Sequence, residues 1–458
     1  MVCAQSGMHK GDSLTPKVHP FLPEKVELQT NDDLGYIGKL RLFKRDAKLY
    51  ITIWFLGAFS SGISGVIFNL YLKDAGLSED FIGFFLSISM FATAAIAFIA
   101  GLLTDKASRK KIILAANVVV FVSVVVQYTT LNPLGLIFSQ VFLGLSSAFR
   151  EVAWSPYITE LSSERERAHL FGFAGGISLL GVLIGNLLGG FLPQVFAGIL
   201  AIPEGAPLVA AYQYTLWLSL IPSALAILLV TQMTTDTPTN TNIRFALKSI
   251  KDWGFIGKYA ATISIVGLGA GTIVMFFNLY FTHEFPIDSG LLGIIFAINT
   301  IILSLGNFIA PALADRIGKV RTVVVTEILS IPFLVMLWWA PILQFAVLGY
   351  VMRSVLMNMS GPVSNAFFME GLKKEERATA VGVVRSGDSL VRAIAANIGG
   401  WLLYLGEYRL PYLLVSGLYV IGILLFYGFF RNTEQQIEVP SEIEVTVVSE
   451  PEEPFDVT

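Results

Sequence analysis

Twelve long apolar stretches restrict the folds that this chain can adopt. The hydrocarbon core of a bilayer is about 30 Å thick, and roughly 20 residues of α-helix cross it. Stretches of this kind predict spans at 51–72, 81–103, 111–131, 134–159, 168–200, 208–231, 259–281, 290–313, 321–340, 342–369, 379–405 and 410–430. We therefore expect an all-α membrane protein with twelve transmembrane helices.

The composition is that of a chain whose exterior faces lipid. Charged residues make up 14% of the sequence and hydrophobic residues 54%, whereas a soluble domain carries about 25% charged residues. The formal net charge of −3 gives no reason to expect a nucleic-acid partner. Cys3 is the single cysteine, so an intramolecular disulfide is impossible.

The sequence gives no indication of metal or enzyme chemistry. Its four histidines are scattered along the chain, at His9, His19, His169 and His283. It lacks the Gly-x-Ser-x-Gly, His-Glu-x-x-His and Walker patterns, which mark hydrolases, zinc proteases and ATP-driven pumps. We predict no metal site and no cofactor, and we expect that the chain is not an enzyme.

Lysine and arginine divide unequally between alternate loops. With a cytoplasmic N-terminus, the inner segments carry 25 of them and the outer loops carry two, Lys73 and Arg409. Positive residues accumulate on the cytoplasmic side of membrane proteins. Both termini are therefore predicted to lie inside, in a multi-pass protein of the cell membrane that we expect to be a monomer.

The polar breaks divide the chain into five regions. We predict a cytoplasmic N-terminal tail at 1–50, a six-helix bundle at 51–231 and a cytoplasmic linker at 232–258. A second six-helix bundle follows at 259–431, and the acidic segment 432–458 is typical of a disordered tail.

The two predicted bundles repeat each other. The sequence FNLY occurs at 68–71 and again at 277–280, an offset of 209. The offset then becomes 210 and persists through five spans, in pairs that include Gly83 and Gly293, Asp105 and Asp315, Glu160 and Glu370, Arg167 and Arg377, Gly172 and Gly382, and Gly190 and Gly400. Six spans per repeat give both halves the same polarity, so we expect two bundles related by a parallel pseudo-two-fold axis, with a site near the midplane.

Two short charged patterns carry a family resemblance. Residues 101–110 read GLLTDKASRK, which resembles the G-x-L-x-D-[RK]-x-G-R-[RK] loop of the major facilitator superfamily. The repeat copy, PALADRIGK at 311–319, keeps Asp315 and Gly318, and the run from Pro156 to Arg167 is similar to that family as well. The resemblance covers about residues 50–431 and implies the twelve-helix fold of these transporters.

The same residues form a predicted cytoplasmic gate. Asp105 can accept hydrogen bonds from a helix N-terminus, and Arg109 can pair with Glu160. Such links would close the cytoplasmic side and break during the transport cycle. The predicted gate residues are Asp105, Arg109, Glu160, Arg167, Asp315, Glu370 and Arg377. The alternative is that these loops only carry the positive charge that sets orientation.

The fifth span resembles the antiporter motif of the same family. Its glycines follow the pattern G-x8-G-x3-G-P-x2-G-G with Asn186 in the proline position, at Gly172, Gly181, Gly185, Asn186, Gly189 and Gly190. Small residues at this spacing let a neighbouring helix approach closely. The resemblance implies export, and the alternative is general helix packing.

Seven ionisable side chains fall inside predicted spans. They are Arg150, Glu151, Glu327, Arg353, Arg385, Asp388 and Arg392. Charges in hydrocarbon are costly, so they point to function by default. The arginine excess would suit an anionic or zwitterionic substrate. We predict substrate binding by Arg150, Arg353, Arg385 and Arg392, with Asn69 and Asn278 as further polar contacts. The alternatives are mutually neutralising pairs for the charges and helix packing for the asparagines.

Proton coupling would need a carboxylate deep in the membrane. Glu151 and Asp388 meet this requirement, and we predict that they couple transport to protons. Glu327 lies about two turns from a loop, where it could reach the membrane surface, and it is interpreted as structural.

These observations predict a secondary transporter for a small molecule. Proton-coupled export of amphipathic or anionic compounds is the first interpretation. Uptake or facilitated diffusion of a sugar or organic acid is the alternative within transport. A membrane sensor without transport activity is the alternative from another class, although a sensor would usually carry a soluble domain.

Overall fold

The computed structural model describes residues 43–104, 107–162, 164–235, 252–373 and 376–433. Most of the predicted N-terminal tail, linker and C-terminal tail lies outside these ranges, and so does Asp105. All contacts reported below lie within the compact unit that begins at Lys44.

The first half of the described chain contains six helices. They are α1 (Arg45–Asp74), α2 (Glu79–Thr104), α3 (Arg109–Thr129), α4 (Pro133–Leu161), α5 (Glu164–Ile199) and α6 (Val209–Gln232). Each corresponds to one predicted span. Large apolar side chains such as Phe142 and Leu134 point outward, as expected of helices that face lipid.

The second half contains eight helices that form six spans. They are α7 (Trp253–Ile273), α8 (Phe277–Glu284), α9 (Ser289–Ile317), α10 (Lys319–Trp339), α11 (Leu343–Asn358), α12 (Ser360–Glu370), α13 (Arg377–Tyr404) and α14 (Leu410–Phe430). The seventh span consists of α7, a 3-10 turn at Val274–Phe276 and α8. The tenth span consists of α11 and α12, which meet at Met359. The prediction of twelve spans is confirmed.

Ten of the twelve spans are long and apolar enough to be recognised by hydropathy. The tenth is divided into helices of 16 and 11 residues. The eleventh, α13, carries Arg385, Asp388 and Arg392 within eight residues. The two spans that depart most from an apolar helix therefore carry four charged residues, Arg353 in the tenth and Arg385, Asp388 and Arg392 in the eleventh.

Several helices begin before the predicted limits. The helix α1 starts at Arg45 and α7 at Trp253, six residues before each predicted bundle. Hydropathy detects the part of a helix inside hydrocarbon, whereas the helix itself continues into the polar boundary of the bilayer. At α7 the Asp252 carboxylate accepts a hydrogen bond from the Phe255 amide at 2.8 Å and so fixes the start of the helix.

Two asparagines at equivalent positions of the predicted repeat form hydrogen bonds between the halves. Asn69 donates to Asn278 at 3.1 Å and to the carbonyl of Met275 at 2.7 Å. Asn278 donates in turn to the carbonyl of Val66 at 3.2 Å. Val66 and Met275 are also 209 residues apart. The repeat therefore relates the Asn69–Met275 hydrogen bond to the Asn278–Val66 hydrogen bond. This Asn69–Asn278 clasp joins the halves at their pseudo-two-fold axis.

Two glycine contacts join the halves on either side of the clasp. A Cβ built at Gly83 would lie 2.7 Å from the Cα of Gly400, and one at Gly190 would lie 2.9 Å from the Cα of Gly293. Gly83 corresponds to Gly293 and Gly190 to Gly400 in the repeat. The two crossings, α2 on α13 and α5 on α9, therefore have the same construction. At each of them the backbones approach closely because side chains are absent.

The glycines of the fifth span pack mainly within their own half. A Cβ at Gly181 or Gly189 would meet the backbone of α1 at 2.7 or 2.6 Å, and Gly185 lies against Phe59 and Gly62 of that helix. Gly172 has open space around it. The Asn186 amide donates to the Thr300 hydroxyl at 3.2 Å across the halves.

We expect Gly185→Ala to destabilise the fold and Gly172→Ala to leave it unchanged. The added methyl at residue 185 meets main-chain atoms of Phe59 and Gly62, which cannot move aside as a side chain can. Overpacking of this kind costs about 1–3 kcal/mol. A thermal unfolding measurement on the purified variants compares them directly. Equal melting temperatures would contradict the packing role of Gly185.

Candidate substrate cavity and gates

A partly open cavity of about 570 Å³ lies within the second half. Its walls come from all eight helices of this half, α7 to α14, and from the 3-10 turn. Both interrupted spans border it, through Val274 in the seventh and Ser360 in the tenth. Of the predicted site residues, Arg353, Arg385, Asp388 and Arg392 lie in its wall.

Arg353 lies in this wall without a carboxylate partner. The residue is 2% exposed, and it forms no ion pair with any described residue. Its guanidinium donates to the Tyr419 hydroxyl and lies 5.9 Å from the ring centre of Phe277. Its Nε finds no acceptor in the described chain. A buried cation with an unused donor can bind an anionic group.

The charges of α13 face the same cavity. The Arg392 Nε donates to Asp388 Oδ2 at 2.7 Å, an i,i+4 ion pair. The second oxygen, Oδ1, has no hydrogen-bond donor among the described residues. It lies where a Cβ at Gly267 would be, so Gly267 makes the room for this carboxylate. Arg385 is exposed toward the cavity and forms no ion pair in the described ranges.

Glu327 also lies in the cavity wall, where the sequence interpretation did not place it. The residue is 8% exposed, so it does not reach the membrane surface as its distance from a loop suggested. Its Oε1 lies 2.9 Å from the hydroxyl of Ser360. Hydropathy cannot reveal this placement, because it does not report which face of α10 turns toward α12.

Arg150 and Glu151 lie outside this cavity. Neither belongs to its lining, and Glu151 is exposed on α4. Within the part of the chain that the structure describes, neither side chain makes a hydrogen bond or an ion pair. Asn69 and Asn278 are absent from the lining too, since their amides form the clasp between the halves.

Five of the predicted gate residues, Arg109, Glu160, Asp315, Glu370 and Arg377, lie at the end of each half where α3 and α10 begin, which we call the motif face. Arg109 pairs with Glu160 there, and Lys319 pairs with Glu370 at 2.6 Å in the repeat copy. Arg377 donates to the Leu372 carbonyl at 3.1 Å, and Asp315 is exposed. Asp105 and the side chain of Arg167 lie outside the part of the protein that the structure describes.

A latch joins the halves at the opposite face. Lys73 donates to the Tyr408 hydroxyl at 2.8 Å, and that hydroxyl donates to Glu79 at 2.6 Å. Lys73 and Glu79 also form an ion pair at 3.1 Å. His283 stacks on the Tyr408 ring with centres 3.6 Å apart. Burial and the Glu79 carboxylate raise the pKa of Tyr408 above its usual range, so the phenol keeps its proton.

These features define a class of protein. Two repeated six-helix bundles, joined at one closed face and with a charged cavity in the second bundle, have the architecture of a membrane carrier. The family model described as Major Facilitator Superfamily matches residues 49–280 and 259–452. The chain belongs to that family, and it is a secondary transporter rather than an enzyme.

Similar proteins include two bacterial resistance proteins. The quinolone resistance protein NorA of Staphylococcus aureus is 29% identical over 163 residues, which cover 34% of this chain and 41% of NorA. Multidrug resistance protein 2 of Bacillus subtilis (strain 168) is 23% identical over 281 residues, 60% of this chain and 67% of that protein. The match to NorA thus spans less than half of its length.

Solved structures share the fold. A bacterial homologue of the human lysosomal transporter Spinster, crystallised inward-facing and unoccupied, superposes with a TM-score of 0.69 at 14% identity. The superposition covers 85% of this chain and 97% of that chain. The twelve-helix architecture is therefore shared along nearly the whole of the Spinster homologue.

Tyr408→Phe should open the latch in a larger fraction of molecules. The change removes the hydroxyl that connects the halves and keeps the ring that stacks on His283. Two charge-assisted hydrogen bonds of about 1.5–3 kcal/mol each are lost, enough to shift a two-state equilibrium at least tenfold. Spin labels on the opposite-face ends of α1 and α13 would report longer distances.

Tyr404→Phe is the matched control for this latch variant. Tyr404 ends α13 and is 56% exposed, and its hydroxyl has no hydrogen-bond partner in the described ranges. Its distance distribution should equal that of the unmodified protein. If Tyr408→Phe also left the distribution unchanged, Tyr408 would not hold this face closed.

Proposed function

We propose that this transporter exports anionic or zwitterionic amphipathic small molecules in exchange for protons. The observation that supports the proposal best is Arg353, a buried cation in the cavity wall with no carboxylate partner among the described residues. Burying an unpaired charge costs several kcal/mol. An anionic substrate group that pairs with Arg353 would offset this cost.

The rest of the cavity supports an amphipathic substrate. Phe277, Phe296, Tyr350 and Met357 provide apolar and aromatic wall. Arg385 adds a second, exposed cation to the wall, and the Asp388–Arg392 pair offers a carboxylate as well. A molecule with an apolar body and a charged group can contact both kinds of surface at once.

Different observations support the direction of transport and its coupling to protons. The names of NorA and of multidrug resistance protein 2 support export of drug-like compounds. Asp388 lies in the cavity, paired with Arg392, where a substrate anion could compete for the arginine. The sequence also predicted Glu151 as a coupling residue, but no contact in the described ranges supports that role.

The two faces would open in turn during the cycle. The latch and the clasp close the opposite face in this structure. Closure of the motif face would use Asp105, Arg167 and the repeat residues Asp315, Glu370 and Arg377, with the Arg109–Glu160 pair as part of its support. Substrate would pass from the motif face, which we propose faces the cytoplasm, to the exterior.

Arg353→Gln should weaken transport of an anionic probe. A quinolone, which carries a carboxylate, serves as the probe in inside-out proteoliposomes with an acidic lumen. Loss of charge-assisted bonds worth about 1.5–3 kcal/mol should raise KM roughly tenfold to a hundredfold. Arg353→Lys should keep part of the affinity, because it keeps the charge.

The control is Arg321→Gln, which removes an exposed arginine at the motif face, outside the cavity. This variant should transport the quinolone like the unmodified protein. An unchanged KM in Arg353→Gln would remove Arg353 from the substrate site.

Single cysteines test the proposed orientation in the plasma membrane. With Cys3 replaced by serine, we expect Glu204→Cys to react with an impermeant reagent in intact cells and Lys373→Cys to react only after permeabilisation. Both positions are exposed, in loops at opposite faces. Labelling of Lys373→Cys in intact cells would reverse the orientation.

A further inference from the structure

Glu327 is the buried carboxylate of the cavity that the proposed function does not use. It lies in the middle of α10 and is 8% exposed. It takes part in no ion pair within the described ranges. An ionised carboxylate in this position would lose most of its hydration without a cation to replace it, which is costly.

The hydrogen bonds at Ser360 match a protonated carboxyl group. The Ser360 hydroxyl lies 2.9 Å from Glu327 Oε1 and 2.8 Å from the carbonyl oxygen of Met357. A hydroxyl has one hydrogen to donate, so it cannot serve both acceptors fully. If Glu327 carries a proton, it donates to Ser360, and Ser360 donates to Met357. All three groups are then satisfied.

The charged groups around Glu327 do not form an ion pair with it in the described ranges, so a proton can neutralise its carboxylate. The titratable and charged groups in the same wall are Tyr259 on α7, Tyr350 and Arg353 on α11, Arg385, Asp388 and Arg392 on α13, and Tyr419 on α14. Arg353 bonds to Tyr419, and Arg392 bonds to Asp388. The wall residues from α9 and α12 are uncharged. Arg385 forms no ion pair with a described residue, and Glu327 therefore has no ionic partner among the described residues around it.

We propose that Glu327 is the binding site of the transported proton and that it is protonated in the conformation with the latch closed. The assignment rests on the proposed proton-coupled export. The Glu327 carboxylate would take a proton from hydronium on one side of the membrane, leaving water. After the conformational change it would return the proton to water on the other side.

Glu327 has a second property that suits this role. Its hydrogen-bond partner, Ser360, is the first residue of α12, directly after the interruption of the tenth span at Met359. Loss of the proton would require Ser360 to turn from the Met357 carbonyl to the carboxylate. Protonation would thus change the hydrogen bonding at the point where the span is divided.

Infrared titration of the purified protein tests the assignment without a substrate. The unmodified protein should show a carboxylic-acid C=O band that disappears as the pH rises. The band should be absent in Glu327→Gln, which is isosteric with the neutral acid, and present in Glu151→Gln, Asp388→Asn and the exposed-loop control Glu204→Gln. Ser360→Ala should shift its frequency. A band that persists in Glu327→Gln, or one that vanishes in Glu151→Gln or Asp388→Asn, would overturn the assignment.

Quinolone flux separates this assignment from the proposed function. In proteoliposomes, Glu327→Gln should lose accumulation driven by a pH gradient and keep exchange of labelled for unlabelled quinolone. Full gradient-driven accumulation in this variant would exclude Glu327 from coupling while leaving proton-coupled export intact. If quinolone flux in the unmodified protein did not depend on the pH gradient, this result would instead contradict proton-coupled export, whatever the infrared result.

Discussion

The close approach of backbones at two glycine crossings sets the distance between the halves. In lipid, helices gain little by burying apolar surface against one another, and their association depends on packing and hydrogen bonds. At Gly83 on Gly400 and at Gly190 on Gly293, a single methyl group would already overlap the facing main chain. Because the halves lie this close, the Asn69–Asn278 clasp can reach across with side chains of only moderate length.

The repeat keeps the residues that join the halves, whereas the charged residues of the cavity occur in the second half alone. The crossings, the clasp and the motif-face ion pairs have counterparts at offsets of 209 or 210. The charged cavity residues do not. At an offset of 210, the first half has Asn117, Leu143, Gly175, Ser178 and Val182 where the second half has Glu327, Arg353, Arg385, Asp388 and Arg392. A duplicated frame therefore contains a charged cavity built from one of its copies.

The fold could be predicted from the sequence because a bilayer admits few structures, and bundles of apolar helices are among them. Hydropathy, loop charge and the repeat predicted twelve spans and a parallel pair of bundles, and the two charged patterns predicted the pairing of Arg109 with Glu160. The orientation of side chains around each helix was harder to predict. Asn69 and Asn278 were predicted to contact substrate, with helix packing as the alternative, and they bind each other. Glu327 was interpreted as structural because it could reach the membrane surface, and it lines the cavity. Each outcome depends on which helix lies opposite, and a hydrophobic pattern does not contain this information when all sides of a helix are apolar.

The interruptions of the seventh and tenth spans explain why the second half holds the cavity. A break in a membrane helix leaves main-chain groups that lipid cannot satisfy, so breaks persist where protein covers them or where they line a cavity. Here the 3-10 turn at Val274–Phe276 and the break at Met359 both lie beside the cavity. In the first half, α1 and α4 are continuous at the matching positions. The first half thus has continuous helices where the second half has both interruptions, and the interruptions lie in the same wall as the charged groups.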